Sequence, residues 1–144
     1  LFLISGNILA LYHTRSCHDA RGLARALPVT GALWMAGFLA ICGSPPFGLF
    51  VSEIVMLRAM FAGGAMVAAV CMLVFLALIF IGMSVPVVRM VQGPVPPAVH
   101  PPAAEPVVSW GPPLVLLTLV LALGLFLPAP VETFLHRVAG AIGG

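Results

Sequence analysis

The sequence predicts an all-α fold: a polytopic membrane helix bundle with one proline-broken, discontinuous transmembrane helix. Three observations predict it. Of 144 residues, 62% are hydrophobic and only 7% are charged, where a soluble domain carries about 25% charged residues. Mean hydropathy is +1.20. The apolar stretches are long and continuous rather than alternating with a two-residue period, so the spans are helices and not strands. Finally, the run Gly43-Ser44-Pro45-Pro46-Phe47-Gly48 sets two adjacent prolines between glycines inside oily sequence.

The elements follow in order. Residues 1–12 read as the end of a transmembrane helix whose beginning is missing. They make only about half a crossing, and the chain starts on Leu1 rather than Met. No charged leader or small-residue cleavage site precedes them, so they are not a signal peptide. Residues 13–28 form a polar loop with Arg15, Asp19, Arg21 and Arg25. Its arginines mark it as cytoplasmic.

Residues 29–61 read as one discontinuous transmembrane helix. These 33 residues are too long for a straight crossing of ~20. Pro45 and Pro46 lack N–H groups, and their rings clash with the carbonyls of Ile41 and Cys42. Ser44 is pushed out of the α region by the proline after it. Gly43 and Gly48 flank the break. Small residues at 31, 32, 36, 37 and 40 suit close helix packing.

Gly63-Gly64 makes the next turn. Residues 65–90 form a transmembrane helix that Pro86 kinks or ends, with Arg89 snorkelling to the interface. Residues 91–113 read as a proline-rich loop, with eight prolines from Pro94 to Pro113. Residues 114–128 are the last span, with Trp110 as an interface anchor. Residues 131–142 read as an amphipathic tail, with Val131, Leu135, Val138 and Ile142 on one face. Counting crossings puts the proline-rich loop on the same side as residues 13–28.

Several function classes fall away. Six basic residues against four acids are too few and too scattered for nucleic acid. The three cysteines, Cys17, Cys42 and Cys71, form no disulfide framework and no CxxC site. The spacing of His13, Cys17, His18 and Asp19 matches no standard metal pattern, so no metal is assigned. No ligand set for haem, flavin, quinone or iron–sulfur cluster is visible, and no cofactor is assigned to this chain.

Glu53 and the break remain as the candidate site. A charged side chain near a bilayer centre costs at least ~3 kcal/mol and by default marks function. Irregular backbone at membrane depth is tolerated only when buried in protein or lining water, and broken helices place their half-helix ends beside ion sites. Burial favours the neutral acid, while the positive end of the second half-helix favours the anion. Such opposition suits a proton-path group that takes and releases protons. The alternative is a carboxylate that only hydrogen-bonds a neighbouring helix. Arg58, five residues on, lies ~140° around the helix and is not an obvious partner. Ser44 and Ser52 read as local backbone partners.

The segments Gly6-Asn7-Ile8 through Tyr12-His13-Thr14-Arg15, Arg21-Gly22-Leu23, Pro28-Val29-Thr30-Gly31 and Gly43 through Glu53 resemble the antiporter-like membrane subunits. This family comprises proton-pumping subunits of respiratory complex I, relatives in membrane-bound hydrogenases such as hydrogenase-4 component F, and subunits of multisubunit (Mrp-type) cation/proton antiporters. The resemblance is specific around 6–31 and 43–53 and weak after Gly93. It implies a C-terminal piece of a larger subunit in the cell inner (plasma) membrane, beside other membrane subunits. It also implies that Glu53 matches a Lys or Glu at the exit of a proton path, with earlier stations upstream of Leu1. The implied function is proton translocation in a hydrogenase-4 or NADH-quinone oxidoreductase-type complex, with no redox centre in this chain. Cation/proton antiport without redox partners, and a purely structural membrane anchor, stay open.

Overall fold

A computed structural model describes residues 1–97, 99–100, 102, 104–126 and 138. Among these residues the chain forms six helices and no strands: α1 Phe2–Tyr12, α2 Leu23–Ala26, α3 Pro28–Ile41, α4 Gly48–Ala62, α5 Met66–Gln92 and α6 Val107–Leu125. The expected tail at 131–142 lies, apart from Val138, outside the described residues. Two helices, α5 and α6, are long and apolar enough to cross a membrane, while α1 and α3 are shorter apolar helices.

The loop at 13–28 is more ordered than a solvated connection. His13 takes a left-handed conformation and closes α1 with its N–H on the Leu9 carbonyl. The Tyr12 hydroxyl donates to the Arg21 carbonyl at 2.6 Å. Gly22, with φ +76°, then opens the short helix α2. This turn is where the buried core begins. Ile4, Ile8, Tyr12, Ala20, Leu23, Ala26, Leu33 and Met90 form one cluster, with Trp34, Val95, Trp110 and Leu117 packed against it. The core therefore sits at the loop end of the bundle. Outer faces of α4, α5 and α6 stay apolar and exposed.

Helix α3 starts at Pro28, whose missing N–H costs nothing at a first helical position. Leu27 before it supplies no side-chain cap. The cap comes instead from 75 residues away. The Glu105 carboxylate accepts from the Val29 N–H at 2.7 Å, the Thr30 N–H at 3.0 Å and the Thr30 hydroxyl at 2.6 Å. Thr30 is 1% exposed. An anion on orphan N–H groups at a helix start is favoured by both hydrogen bonding and the macrodipole.

Of two helices that contain prolines, one takes an outcome the sequence left open and the other differs from the sequence expectation, and the reasons are physical. Pro86 does not end α5, which continues to Gln92. Val87, Met90 and Val91 beyond it are buried. At ~1.5–3 kcal/mol for each large apolar side chain, that burial outweighs the ~3 kcal/mol cost of the proline. Helix α6 begins at Val107, not 114, and runs through Pro112 and Pro113, so it takes in residues 107–113 of the expected proline-rich loop. Pro113 cannot donate to the carbonyl four residues back, that of Ser109. Asn7 of α1 takes its place, its Nδ2 donating to the Ser109 carbonyl at 2.5 Å. A neighbouring helix has thus re-satisfied the group freed by Pro113, while Pro112 frees the Val108 carbonyl one residue earlier.

The hydroxyls of the exposed helix faces follow the same rule. Ser5, Ser52, Ser84 and Thr118 each donate to a carbonyl three or four residues earlier on their own helix. None needs water.

The Glu105 clasp has a measurable weight. Glu105→Ala should lower stability by about 1–2 kcal/mol, the range for losing a helix cap with charged hydrogen bonds. Glu105→Gln should cost less. Thermal unfolding of the full-length protein in detergent checks both; an unchanged midpoint for Glu105→Ala would show that the clasp holds nothing.

Candidate functional site

Residues 42–47 separate α3 from α4. Helix α3 ends at Ile41, and its stop is made by Gly43 rather than by the prolines. Gly43 has φ +64°, and the Ser44 N–H bonds to the Leu39 carbonyl at 3.0 Å. This is the six-to-one bond of a Schellman ending with glycine in the left-handed position. The Cys42 N–H takes the Phe38 carbonyl at 3.0 Å. Pro45 and Pro46 follow, joined by a cis peptide bond and both exposed. Phe47 is buried and extended, its N–H on the Ser44 carbonyl at 3.1 Å.

Helix α4 opens at Gly48, and Glu53 is its sixth residue. Long side chains on a helix lean back toward its N-terminus. Glu53 does so: its carboxylate lies over Gly43, where a Cβ would overlap both oxygens. The acid thus folds back onto the non-helical segment and is half-buried there. Ser52, its neighbour, donates to the Gly48 carbonyl at 3.2 Å.

The four glycine and proline positions do different work. Gly43 supplies a left-handed turn and room for the Glu53 carboxylate. Gly48 is a crossing point. Its backbone meets that of Gly124 on α6, and a Cβ on Gly124 would strike the Gly48 nitrogen. Sequence reasoning assigns Gly48 to the break alone. Gly124, 76 residues further on, carries no local signal for that contact. Glu105 escapes sequence reasoning as well. Its signal is indirect: α3 lacks a capping residue at 27, and Glu105 is the one acid in the proline-rich stretch. Among the described residues no three His, Cys, Asp or Glu side chains gather into a metal-binding group.

Residues 1–80, which include α1 to α4 and all of the interrupted segment, match the sequence family NADH:quinone oxidoreductase/Mrp antiporter, TM. The chain belongs to this family. Among its relatives, the hydrogenase-4 component F homolog of Methylacidiphilum infernorum is 38% identical over 69 residues, 48% of this chain and 14% of that protein. A Na(+)/H(+) antiporter subunit of Bacillus subtilis is 31% identical over 85 residues, 59% of this chain and 17% of that protein. The fold is similar to a chain in the structure of the Mrp complex from Dietzia sp. DQ12-45-1b. The TM-score is 0.74 at 22% identity, covering 87% of this chain and 31% of that one. This NADH:quinone oxidoreductase/Mrp antiporter chain therefore spans less than a third of the proteins it matches. Its all-helical membrane architecture agrees with the family, and the matched part contains Glu53.

Gly43→Ala tests the contact. It should strain the left-handed turn by about 1–2 kcal/mol and displace the Glu53 carboxylate. In the full-length protein, carbodiimide labelling of Glu53 should change in rate while Gly37→Ala, in the middle of α3, leaves it unaltered. Equal labelling of wild type and Gly43→Ala would place the carboxylate elsewhere.

Proposed function

We propose that this chain is part of an ion-translocating membrane subunit in which Glu53 is a protonatable station. In this reading α3 and α4 form one discontinuous span, and the segment 42–47 is the irregular backbone at its middle. The observation that supports it most is the Glu53 carboxylate folded over Gly43, between the end of one helix and the start of the next. Such a group accepts a proton as a carboxylate and releases it as a neutral acid. The adjoining irregular backbone offers the polar lining that water or a second carrier needs. Other stations lie in the parts of the subunit beyond this chain.

The favoured setting is a hydrogenase-4 or NADH-quinone oxidoreductase-type complex. There, electron transfer in partner subunits drives the ion, and this chain holds no redox centre. The 38% identity to a hydrogenase-4 component F homolog supports it. Cation/proton antiport is the second reading, supported by the likeness to the Bacillus subtilis Na(+)/H(+) antiporter protein and to the Mrp complex. Subunits that co-purify with the full-length protein distinguish the two: hydrogenase or dehydrogenase subunits in the first case, antiporter subunits in the second.

Glu53→Gln in the full-length subunit should cut proton translocation by about a hundredfold or more, the low end of what a positioned proton-transfer group contributes. Glu53→Asp should retain part of it. Assembly of the complex should be unaffected in both. Normal translocation by Glu53→Gln with reduced stability would overturn the relay and leave a packing role.

A further inference from the structure

The loop end of the bundle holds a second cluster of charge that the Glu53 site does not use. A cavity of about 500 Å³ is lined by Arg21, Val88, Arg89, Gln92 and Gly93. It is built by a close backbone contact. Gly22, at φ +76°, lies against the Gly93 carbonyl and the Val95 backbone, and the stem of Arg21 lies where a Gly93 side chain would be. The missing side chains at 22 and 93 thus let the loop after α1 sit directly on the end of α5. Two arginines from distant parts of the sequence then share one cavity.

Arg21 is held in place. Its Nε donates to the His18 carbonyl at 2.5 Å and its Nη2 meets His18 Nδ1 at 3.0 Å. These contacts leave Nη1 for a ligand. Asp19, two residues from Arg21, does not line the cavity but keeps its negative charge, since the Thr14 hydroxyl 3.4 Å from it is neutral. The C-terminus of α5 adds about half a negative charge and Asp19 a full one nearby, against two full positive charges, so the balance stays positive. That balance favours an anion, and guanidinium groups match phosphate oxygens.

Apolar surface leads away from it along α5. Leu78, Ile81, Val85 and Val88 are all exposed, and with Arg89 they recur at i, i+3, i+7, i+10 and i+11. That spacing puts them on one helix face. The stripe runs from the arginines down a helix long enough to cross a membrane.

We propose that this cavity binds the phosphate headgroup of an anionic phospholipid, with an acyl chain laid along the α5 stripe. A free phosphate shares the headgroup chemistry but has no use for the stripe. Basic pockets between transmembrane helices are known to recognise such lipids.

Native mass spectrometry of the full-length protein, titrated with dioleoylphosphatidylglycerol or dioleoylphosphatidylcholine, tests the assignment. Wild type should prefer the anionic lipid by on the order of tenfold, from about two arginine contacts. Arg21→Gln/Arg89→Gln should lose the preference, Arg21→Lys/Arg89→Lys should keep most of it, and Arg25→Gln should behave as wild type. A circular dichroism melt confirms that each variant is folded. Equal binding of the two lipids by wild type, or an undiminished preference in the folded glutamine variant, overturns the site. Displacement of the lipid by millimolar inorganic phosphate overturns the lipid assignment.

Discussion

Asn7 donates to the carbonyl that Pro113 leaves without a partner, and the arrangement of the bundle rests on contacts of this kind. In hydrocarbon, no water is present to receive a freed backbone group. Departures from regular helix are therefore favoured where a donor or acceptor meets the freed group, as it does at three places in this chain. The Ser109 carbonyl is met by Asn7, the α3 N–H groups by Glu105, and the Leu39 carbonyl by Ser44. Three of these bonds join parts of the chain that are far apart in sequence. Asn7 fixes α6 to α1, and Glu105 ties the proline-rich stretch to the start of α3.

The same constraint organises the candidate site. Gly43 ends α3 in a way that returns one carbonyl to a backbone partner and leaves space above its own Cα. Glu53 occupies that space. Gly48 meanwhile brings α4 against α6 at Gly124, so the start of α4 is held by a backbone-to-backbone contact. A site built this way takes its geometry from the absence of side chains at three positions. The acid is placed by what its neighbours lack.

Much of this was legible in the sequence, and what was not has a common cause. Composition and apolar run length carried the helical membrane class. The glycine and proline pattern pointed to an interruption near 43–48, and Glu53 stood out as a charge in oil. Start points of helices were less legible where prolines lay inside them. Pro112 and Pro113 argue for a loop when read alone, and Asn7, 106 residues before Pro113, meets the carbonyl that Pro113 frees. Pro86 likewise yields to the burial of Val87, Met90 and Val91. Glu105 and Gly124 were missed because their partners are distant in sequence. Local patterns report propensity, whereas these residues act through tertiary contact.

The length of α5 has a mechanical consequence. Its 27 residues extend about 40 Å, longer than a hydrocarbon layer of ~30 Å. A surplus of that size is taken up by tilt or by emergence from the bilayer. One end of α5 is not free to adjust, because Gly93 is seated on Gly22 and Val87, Met90 and Val91 are buried. At the other end Met66, Val67 and Val70 are exposed. The surplus length therefore has more room at the Gly63-Gly64 end, where only Ala69 is buried, than at the loop end, which is held by its contacts.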